Sequence, residues 1–251
     1  MQIVLKGIKL IDPVCNLESD SDLMITDGII SKIGKITESE LKSSEVFDFT
    51  GCICTPGFFD MHTHLREPGR EDEETIQSGC RAAAEGGFTG IACMPDTNPV
   101  ADSAEVIKLM LEKSAGLIVD LFPIAAATIG SKGESLSPMI ELSDSGAVGF
   151  SDDTHTIKNS DILKRALEYA SMTNKVVIDH CEDESFTGWA MNESFISTEL
   201  GLPPQPSPAE EIIAARDIAV AEYSGGRLHL AHISSKRTVE LIRDAKMRGV
   251  K

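Results

Sequence analysis

From residue 57 to residue 251 the sequence repeats one pattern six times: a short apolar run followed by a segment of helix-forming composition. Runs such as KVVID at 175–179 are rich in Val, Ile and Leu, as expected of parallel strands buried on both faces. Alternating strands and helices predict an α/β protein with a parallel sheet and right-handed crossovers. Six units fit either an open doubly wound sheet or an incomplete (β/α)8 barrel, and the apolar pattern alone does not separate the two.

The first 55 residues follow a different pattern. Their short apolar runs are separated by Asp-Gly and Gly turns, which predicts a small β-rich domain over residues 1–55, ahead of the strand–helix domain over residues 56–251. Within the second domain, a polar, proline-containing segment at 185–207 predicts a long loop.

Composition and charge narrow the set of partners. The chain has 251 residues and a net charge of −17, whereas binding to nucleic acid or to an anionic membrane requires a basic face. No apolar stretch reaches the length of a membrane span, and the N-terminus lacks the features of a signal peptide. The six cysteines include no CxxC pair, so we expect them to be reduced and the protein to be cytoplasmic.

Five residues of metal-binding type stand where predicted strands end: His62 and His64 in GFFDMHTH, Asp153 in GFSDD, His180 in VVIDH and His232 in LHLAH. In a (β/α)8 barrel the carboxyl ends of the strands converge on one mouth, where active sites lie. His62 and His64 are two residues apart, so a strand would direct both imidazoles to one face. Imidazoles with a carboxylate suit Zn²⁺, and two such ions could share a hydroxide.

We expect His62 and His64 to bind one ion and His180 and His232 to bind the other. Asp153 would bridge the two ions. Asp152 is the competing bridge, because a shift of one residue reverses the face of a strand. Two further histidines are interpreted differently. His229 lies three residues before His232 and is interpreted as structural, and His155, in the sequence THT, is interpreted as solvated.

These motifs together resemble the dihydroorotases of the bacterial long-chain kind, in the amidohydrolase superfamily. The resemblance runs from about residue 3 to residue 251, and the most specific motif is HTHLREPG at 62–69. Hydantoinases and allantoinases share the HxH pattern but lack the Arg-Glu-Pro-Gly continuation. The other matching segments are MPDTNPV at 94–100, GFSDD at 149–153, IDHCED at 178–183 and LHLAHIS at 228–234.

The resemblance implies a TIM-like (β/α)8 metal-dependent hydrolase barrel, with six units present, beside a small β-sandwich-like domain completed by C-terminal residues. It implies reversible hydrolysis of the cyclic amide of dihydroorotate to N-carbamoyl-aspartate in pyrimidine biosynthesis, by a zinc-activated hydroxide with one or two zinc ions per subunit. The metal ligands of the relatives match the five residues named above, and FSDD, which has no lysine, implies the aspartate-bridged subtype. Arg66 matches the residue that binds the substrate carboxylate, for which a guanidinium fork is suited.

Two features depart from the family pattern. Asp96 stands at a substrate-binding position where relatives usually have Asn, and an ionised Asp cannot donate a hydrogen bond to a substrate carboxylate. Asp96 would therefore be protonated, be rotated away from the substrate, or belong to a site that binds its substrate differently. Asn98, two residues later, could replace it as the donor to the substrate carboxylate. The relatives also continue past the position of Lys251 through two more strand–helix units, and these carry the aspartate that acts as general acid and base.

Two other functions stay open at this point. Another cyclic amidohydrolase, acting on a hydantoin or on allantoin, is disfavoured by Arg66 but left open by Asp96. A non-catalytic, dihydroorotase-like scaffold is disfavoured by the intact ligand set. For a dihydroorotase we expect a homodimer and an association with aspartate transcarbamoylase, with no nucleic acid or membrane as partner.

Overall fold

The structure is a computed structural model and describes residues 1–186 and 189–251. The chain divides into two compact units, Met1–Phe58 and Phe59–Lys251. Thr187 and Gly188, which fall in the predicted loop 185–207, lie outside the described residues.

The unit Met1–Phe58 forms one sheet with one short helix. Strand β1 lies between β2 and β4 in the order β3-β2-β1-β4, and β5 pairs with a later part of β1. Strands β1, β2 and β3 are antiparallel neighbours, whereas β4 and β5 run parallel to β1. The elements are β1 (Gln2–Asp12), β2 (Leu17–Thr26), β3 (Ile29–Ile33), α1 (Glu38–Lys42), β4 (Glu45–Asp48) and β5 (Ile53–Cys54).

Local sequence signals account for two parts of this unit. Asp27 and Gly28 both have positive φ, 49° and 82°, and form a two-residue hairpin turn between β2 and β3. Helix α1, which was not predicted, begins at a capping box in which the Thr37 hydroxyl accepts from the Glu40 amide and the Glu40 carboxylate accepts from the Thr37 amide. The T-x-x-E pattern at 37–40 was therefore a readable signal for this helix.

The unit Phe59–Lys251 contains the six predicted strand–helix repeats. The principal strands are β6 (Phe58–Thr63), β7 (Phe88–Cys93), β8 (Asp120–Ala126), β9 (Gly149–Ser151), β10 (Val176–Asp179) and β13 (Leu228–Leu230). The helices are α2 (Ile76–Glu85), α3 (Ala104–Ser114), α4 (Met139–Asp144), α5 (Ser160–Met172), α6 (Phe195–Leu200), α7 (Pro208–Ser224) and α8 (Lys236–Met247).

The order of the strands distinguishes the two candidate folds. The sheet runs β13-β10-β9-β8-β7-β6, so each repeat lies beside the preceding one. The pairs from β7 to β13 are parallel. A doubly wound sheet reverses its strand order at a switch point, whereas a barrel adds its strands in chain order. The sheet is therefore a curled half-barrel, with β6 and β13 as its two edges.

Alternate residues of the strands enter two different apolar cores. Ile91 and Cys93 of β7 belong to the larger core, which the outer helices cover with residues such as Ile107 and Leu163. Ala92, the residue between them, belongs to a smaller core on the other face of the sheet. Both faces of the central strands β7 to β10 are thus buried, which explains why these strands read as continuous apolar runs.

The segment predicted as one long loop, 185–207, contains regular structure. Strands β11 (Met191–Asn192) and β12 (Pro204–Gln205) form a short parallel ladder around α6. Helix α6 begins at a capping box between Ser194 and Ser197 and ends at Gly201, which has a φ of 65°. The helix has six residues and exposes Phe195 and Leu200, so its apolar periodicity was too short to read as a buried face.

No helix of the described residues could cross a membrane.

Candidate functional site

All five candidate ligands lie at the carboxyl ends of strands of the curled sheet. His62 is near the end of β6, and His64 directly follows that strand. Asp153, His180 and His232 each come within two residues of the ends of β9, β10 and β13. Because parallel strands in one sheet end at the same edge, the fold brings these side chains together.

Asp153 lies between the two histidine pairs. Its Oδ2 is 3.3 Å from Nε2 of His62 and 3.6 Å from Nε2 of His64. Its Oδ1 is 3.4 Å from Nδ1 of His180 and 3.6 Å from Nε2 of His232. The two nitrogens of this second pair are 3.0 Å apart. Each carboxylate oxygen therefore faces one pair of imidazole nitrogens, as a bridging carboxylate requires.

The donor set fits a divalent metal ion. Asp153 is 3% exposed, and its Oδ1 makes no hydrogen bond with any residue that the structure describes. A buried carboxylate oxygen without a hydrogen bond is costly, and a cation between the imidazoles would satisfy it. Two overlapping groups each have ligand atoms within 4.8 Å of one another: His62, His64 and Asp153, and Asp153, His180 and His232. Neutral imidazole and carboxylate are donors that Zn²⁺ accepts.

The electrostatics favour a charged Asp153. Burial alone would raise the pKa of this carboxyl, but contacts with His180, His232 and His62 outweigh burial and hold its pKa far below the usual value. The neighbouring carboxylate of Asp153 raises the pKa of His180 to about 9, against the opposing effect of burial. The centre is therefore an anion surrounded by groups that favour its charge.

Asp152, the competing bridge, points away from the histidines. Its two oxygens accept from the backbone N–H of Thr128, at 2.8 Å, and from the hydroxyl of Thr128, at 2.5 Å. Asp152 is buried, and burial raises its pKa. This carboxylate joins the end of β9 to the end of β8, so its role in the fold is structural.

A second set of buried polar residues stabilises the loop that follows Asp153. Asp179, at the end of β10, accepts from the hydroxyl of Thr156 at 2.7 Å and from the amide of Ile157 at 2.9 Å. Arg216 of α7 lies 2.6 Å from Asp217 and 3.6 Å from Asp179. Burial, and then the nearby charge of Asp179, raise the pKa of Asp217 to about 9. The network fixes the segments that carry Asp153 and His180 relative to each other.

The structure places Arg66 and Asp96 in contact. Nη1 of Arg66 donates to Oδ2 of Asp96, and the same oxygen lies 2.7 Å from Nδ1 of His64. Nε of Arg66 is also 3.1 Å from the Glu73 carboxylate. Asp96 is thus neither rotated away nor solitary, because it pairs with the guanidinium and orients a candidate ligand. Asn98, the conceivable substitute, is exposed.

The remaining residues of the Arg-Glu-Pro-Gly turn are structural. Glu67 is buried, accepts from the amide of Ile76 at the start of α2, and lies 2.5 Å from Nζ of Lys113. Gly69 has a φ of 98°, and a Cβ added there would lie 1.9 Å from the carbonyl oxygen of Asn98. This close backbone approach joins the loop after β6 to the loop after β7, which is how Arg66 reaches Asp96.

Glu182 is a site residue that the sequence analysis missed. Its Oε2 lies 3.0 Å from Nε2 of His180, and its Oε1 accepts from the indole N–H of Trp189 at 3.0 Å. A carboxylate that holds the second nitrogen of a metal-binding imidazole is common in metal sites. The signal was present in the sequence as the H-x-E spacing at the end of β10.

The two histidines that were set aside take no part in either ligand group. His155 is exposed and lies 3.4 Å from Glu184, in agreement with a solvated residue. His229 lies in β13 and belongs to neither group, and burial lowers its pKa.

A cleft of about 470 Å³ opens beside the second histidine pair and is lined by residues that include His180, His232, Glu182 and Trp189. Two larger clefts, of about 770 and 750 Å³, contain none of the candidate ligands. The smaller cleft is therefore the better candidate for a ligand site, since the titratable groups converge there.

The sequence of the chain is similar to that of a known protein family and of several curated relatives. Residues 51–238 match the protein family described as Dihydro-orotase-like. A dihydroorotase from Syntrophus aciditrophicus (strain SB) is 47% identical over 253 residues, which covers 100% of this chain and 59% of that protein. A dihydroorotase from Pelotomaculum thermopropionicum is 47% identical over 254 residues, covering 100% of this chain and 58% of that protein. The chain thus spans somewhat more than half the length of these relatives.

Solved structures with the same fold are more distant in sequence. The L-hydantoinase (dihydropyrimidinase) from Arthrobacter aurescens superposes with a TM-score of 0.81 at 20% identity, covering 99% of this chain and 56% of that one. This likeness shows that the two chains share a fold, over a little more than half the length of the hydantoinase.

Proposed function

Because the chain belongs to the dihydro-orotase-like family, we propose that it provides the metal-binding part of a dihydroorotase, an enzyme that interconverts dihydroorotate and N-carbamoyl-aspartate. One observation carries the proposal. The carboxylate of Asp153 presents one oxygen to each of two histidine pairs at 3.3–3.6 Å, at the mouth where barrel enzymes have their active sites.

We assign the site to zinc, with one or two ions per subunit. His62 and His64 would hold one ion, His180 and His232 the other, and Asp153 would bridge them. When bound, zinc polarises a carbonyl oxygen and lowers the pKa of water, which is the chemistry that opening a cyclic amide requires.

Neighbouring side chains orient the candidate metal ligands and would bind the charged group of the substrate. Asp96 and Glu182 each hold the second nitrogen of a candidate ligand, at 2.7 Å from His64 and 3.0 Å from His180, so the ligating nitrogens are turned toward Asp153. Arg66 lies next to this centre and would bind the carboxylate of dihydroorotate through its planar fork.

The same observations give some support to a second candidate function. Arg66 is already paired with Asp96 and Glu73, so its positive charge is largely neutralised within the protein. A ring substrate without a carboxylate, such as a hydantoin, would not need a free guanidinium. The dihydroorotase proposal is preferred because the relatives that cover the whole chain carry that name.

A substrate panel tests the proposal directly. The full-length protein, loaded with zinc, is incubated with dihydroorotate, hydantoin and allantoin, and ring opening is followed with and without a chelator. We expect chelator-sensitive turnover of dihydroorotate above that of the other rings. Preference for hydantoin would favour the second candidate, and the absence of turnover on every ring would overturn both.

Further properties are proposed from the family resemblance alone. The aspartate that acts as general acid and base would belong to a segment that follows Lys251 in the relatives. The sheet of Met1–Phe58 would be one layer of a β-sandwich-like domain completed by C-terminal residues. The protein would be a cytoplasmic homodimer that associates with aspartate transcarbamoylase. Size measurement and co-purification test the last two properties.

A further inference from the structure

The ring of His180 is held from both sides. Nδ1 faces Oδ1 of Asp153 at 3.4 Å and Nε2 of His232 at 3.0 Å. Nε2, on the far side of the ring, lies 3.0 Å from Oε2 of Glu182. An ionised carboxylate can only accept a hydrogen bond. Nε2 of His180 therefore carries a hydrogen and donates a hydrogen bond to Glu182. This leaves Nδ1 as the nitrogen that can bind a metal ion.

The second oxygen of Glu182 is also occupied. Oε1 accepts from the indole N–H of Trp189 at 3.0 Å. Trp189 is the single tryptophan of the chain and comes directly after the two residues that the structure does not describe, in the segment that carries α6. The side chain of Glu182 is only 17% exposed. Two specific hydrogen bonds offset the cost of this burial.

We propose that Glu182 is a positioning residue that fixes His180 with Nδ1 toward the metal site and connects this ligand to Trp189. The inference rests on the proposed function, since it concerns how the site binds zinc. The Asp96–His64 contact provides the same arrangement for the other histidine pair, at 2.7 Å. Each proposed ion would then have one ligand whose orientation is set by a carboxylate.

Glu182→Gln is the informative substitution. Glu182 accepts two hydrogen bonds with two oxygens, whereas glutamine has the same shape but a single acceptor oxygen. The variant must therefore release one of the two donors, and its neutral amide oxygen holds the other more weakly than a carboxylate oxygen does, so His180 is held less firmly in either case. Loss of such a partner typically costs about 10- to 100-fold in metal affinity. We expect a loss of this size for the zinc ion at His180, measured in competition with a chromogenic chelator.

Glu199→Gln is the matched control. Glu199 is an exposed carboxylate on α6, so its replacement removes the same charge from the segment that carries Trp189 without touching His180. Zinc affinity should be unchanged in this variant. Thermal unfolding of the metal-free forms separates positioning from general stability. We expect metal-free Glu182→Gln to unfold close to the wild-type temperature, while the stabilisation on adding zinc is reduced.

Fluorescence of Trp189 gives a readout that is independent of activity. Zinc binding at His180 should change the emission of Trp189 through Glu182 in the wild-type protein and in Glu199→Gln, but not in Glu182→Gln. Wild-type zinc affinity in Glu182→Gln, or a fluorescence response that persists in it, would overturn the inference and leave the proposed function intact. Failure of the wild-type protein to bind zinc would overturn both.

Discussion

Oδ2 of Asp96 lies 2.7 Å from Nδ1 of His64 and at the same time accepts a hydrogen bond from Arg66. One oxygen thus connects a candidate metal ligand to the candidate substrate-binding arginine. The resemblance to dihydroorotases implies Asn at this position, and a neutral amide oxygen could accept from His64 without placing a negative charge against Arg66. The Asp in this chain therefore reduces the ability of Arg66 to bind another carboxylate.

Asp96→Asn should improve the binding of an anionic substrate. The change removes the negative charge that is paired with the Arg66 guanidinium and adds an amide N–H donor. We therefore expect KM for dihydroorotate to fall about tenfold, equivalent to about 1.4 kcal/mol. Steady-state kinetics measures this, with Asp72→Asn, an exposed neighbour of Arg70, as the control. An unchanged KM would mean that Arg66 does not contact the substrate carboxylate.

Substitution of a candidate ligand should remove the metal ion that its own histidine pair binds. His62→Ala or His64→Ala should lose one ion, His180→Ala or His232→Ala the other, and Asp153→Asn should weaken both, because Asp153 faces both pairs. Elemental analysis after dialysis against a weak chelator measures the content.

The control for this series is His155→Ala, which removes an exposed imidazole near the site and should keep the full metal content. Full retention of zinc in Asp153→Asn would exclude Asp153 as the bridge. If His62→Ala and His180→Ala deplete the same ion, the division into pairs is wrong.

Gly69→Ala should destabilise the loop that carries Arg66. Its Cβ would meet the backbone of Asn98 at 1.9 Å, in addition to the strain of a φ of 98°. Gly116→Ala is the control, because Gly116 has a φ of 80° but no atom within 4 Å of the added Cβ. We expect about 1–3 kcal/mol more destabilisation at Gly69 than at Gly116, measured by denaturant unfolding. Equal losses would show that the two loops can separate without cost.

Asp217 should make stability depend on pH. Burial, together with the charge of Asp179, raises its folded-state pKa to about 9, above the usual value of 3.8. The folded state therefore holds a proton that the unfolded state releases between these values. The stabilisation is complete below the unfolded-state pKa and is lost as pH rises through about 9, by at most about 1.4 kcal/mol per pH unit.

Asp217→Asn should remove this dependence, because an amide resembles the protonated acid and does not titrate. The difference in unfolding temperature, variant minus wild type, should increase between pH 5 and pH 9. Asp144→Asn, at the exposed end of α4, should show no such trend. A constant difference for Asp217→Asn would mean that Asp217 is ionised throughout.

The sequence by itself determined the repeating strand–helix units and the positions of the candidate ligands. Buried parallel strands need continuous apolar runs, and polar residues at the ends of such runs are easily recognised, as with His180 after VVID. The alternation of faces also restricted the bridge to Asp152 or Asp153. These inferences depend on short-range patterns, in which each residue is compared with its near neighbours.

Tertiary structure alone decided what depends on segments far apart in the chain. The strand order separated the barrel from the doubly wound sheet, and contact with Thr128 turned Asp152 away from the histidines. Asp96 meets Arg66 across 30 positions of the chain. No local pattern encodes such a contact, because it depends on how loops from successive strands pack at one edge of the sheet. The sequence could therefore indicate where the chemistry lies, while packing determined which carboxylate faces which partner.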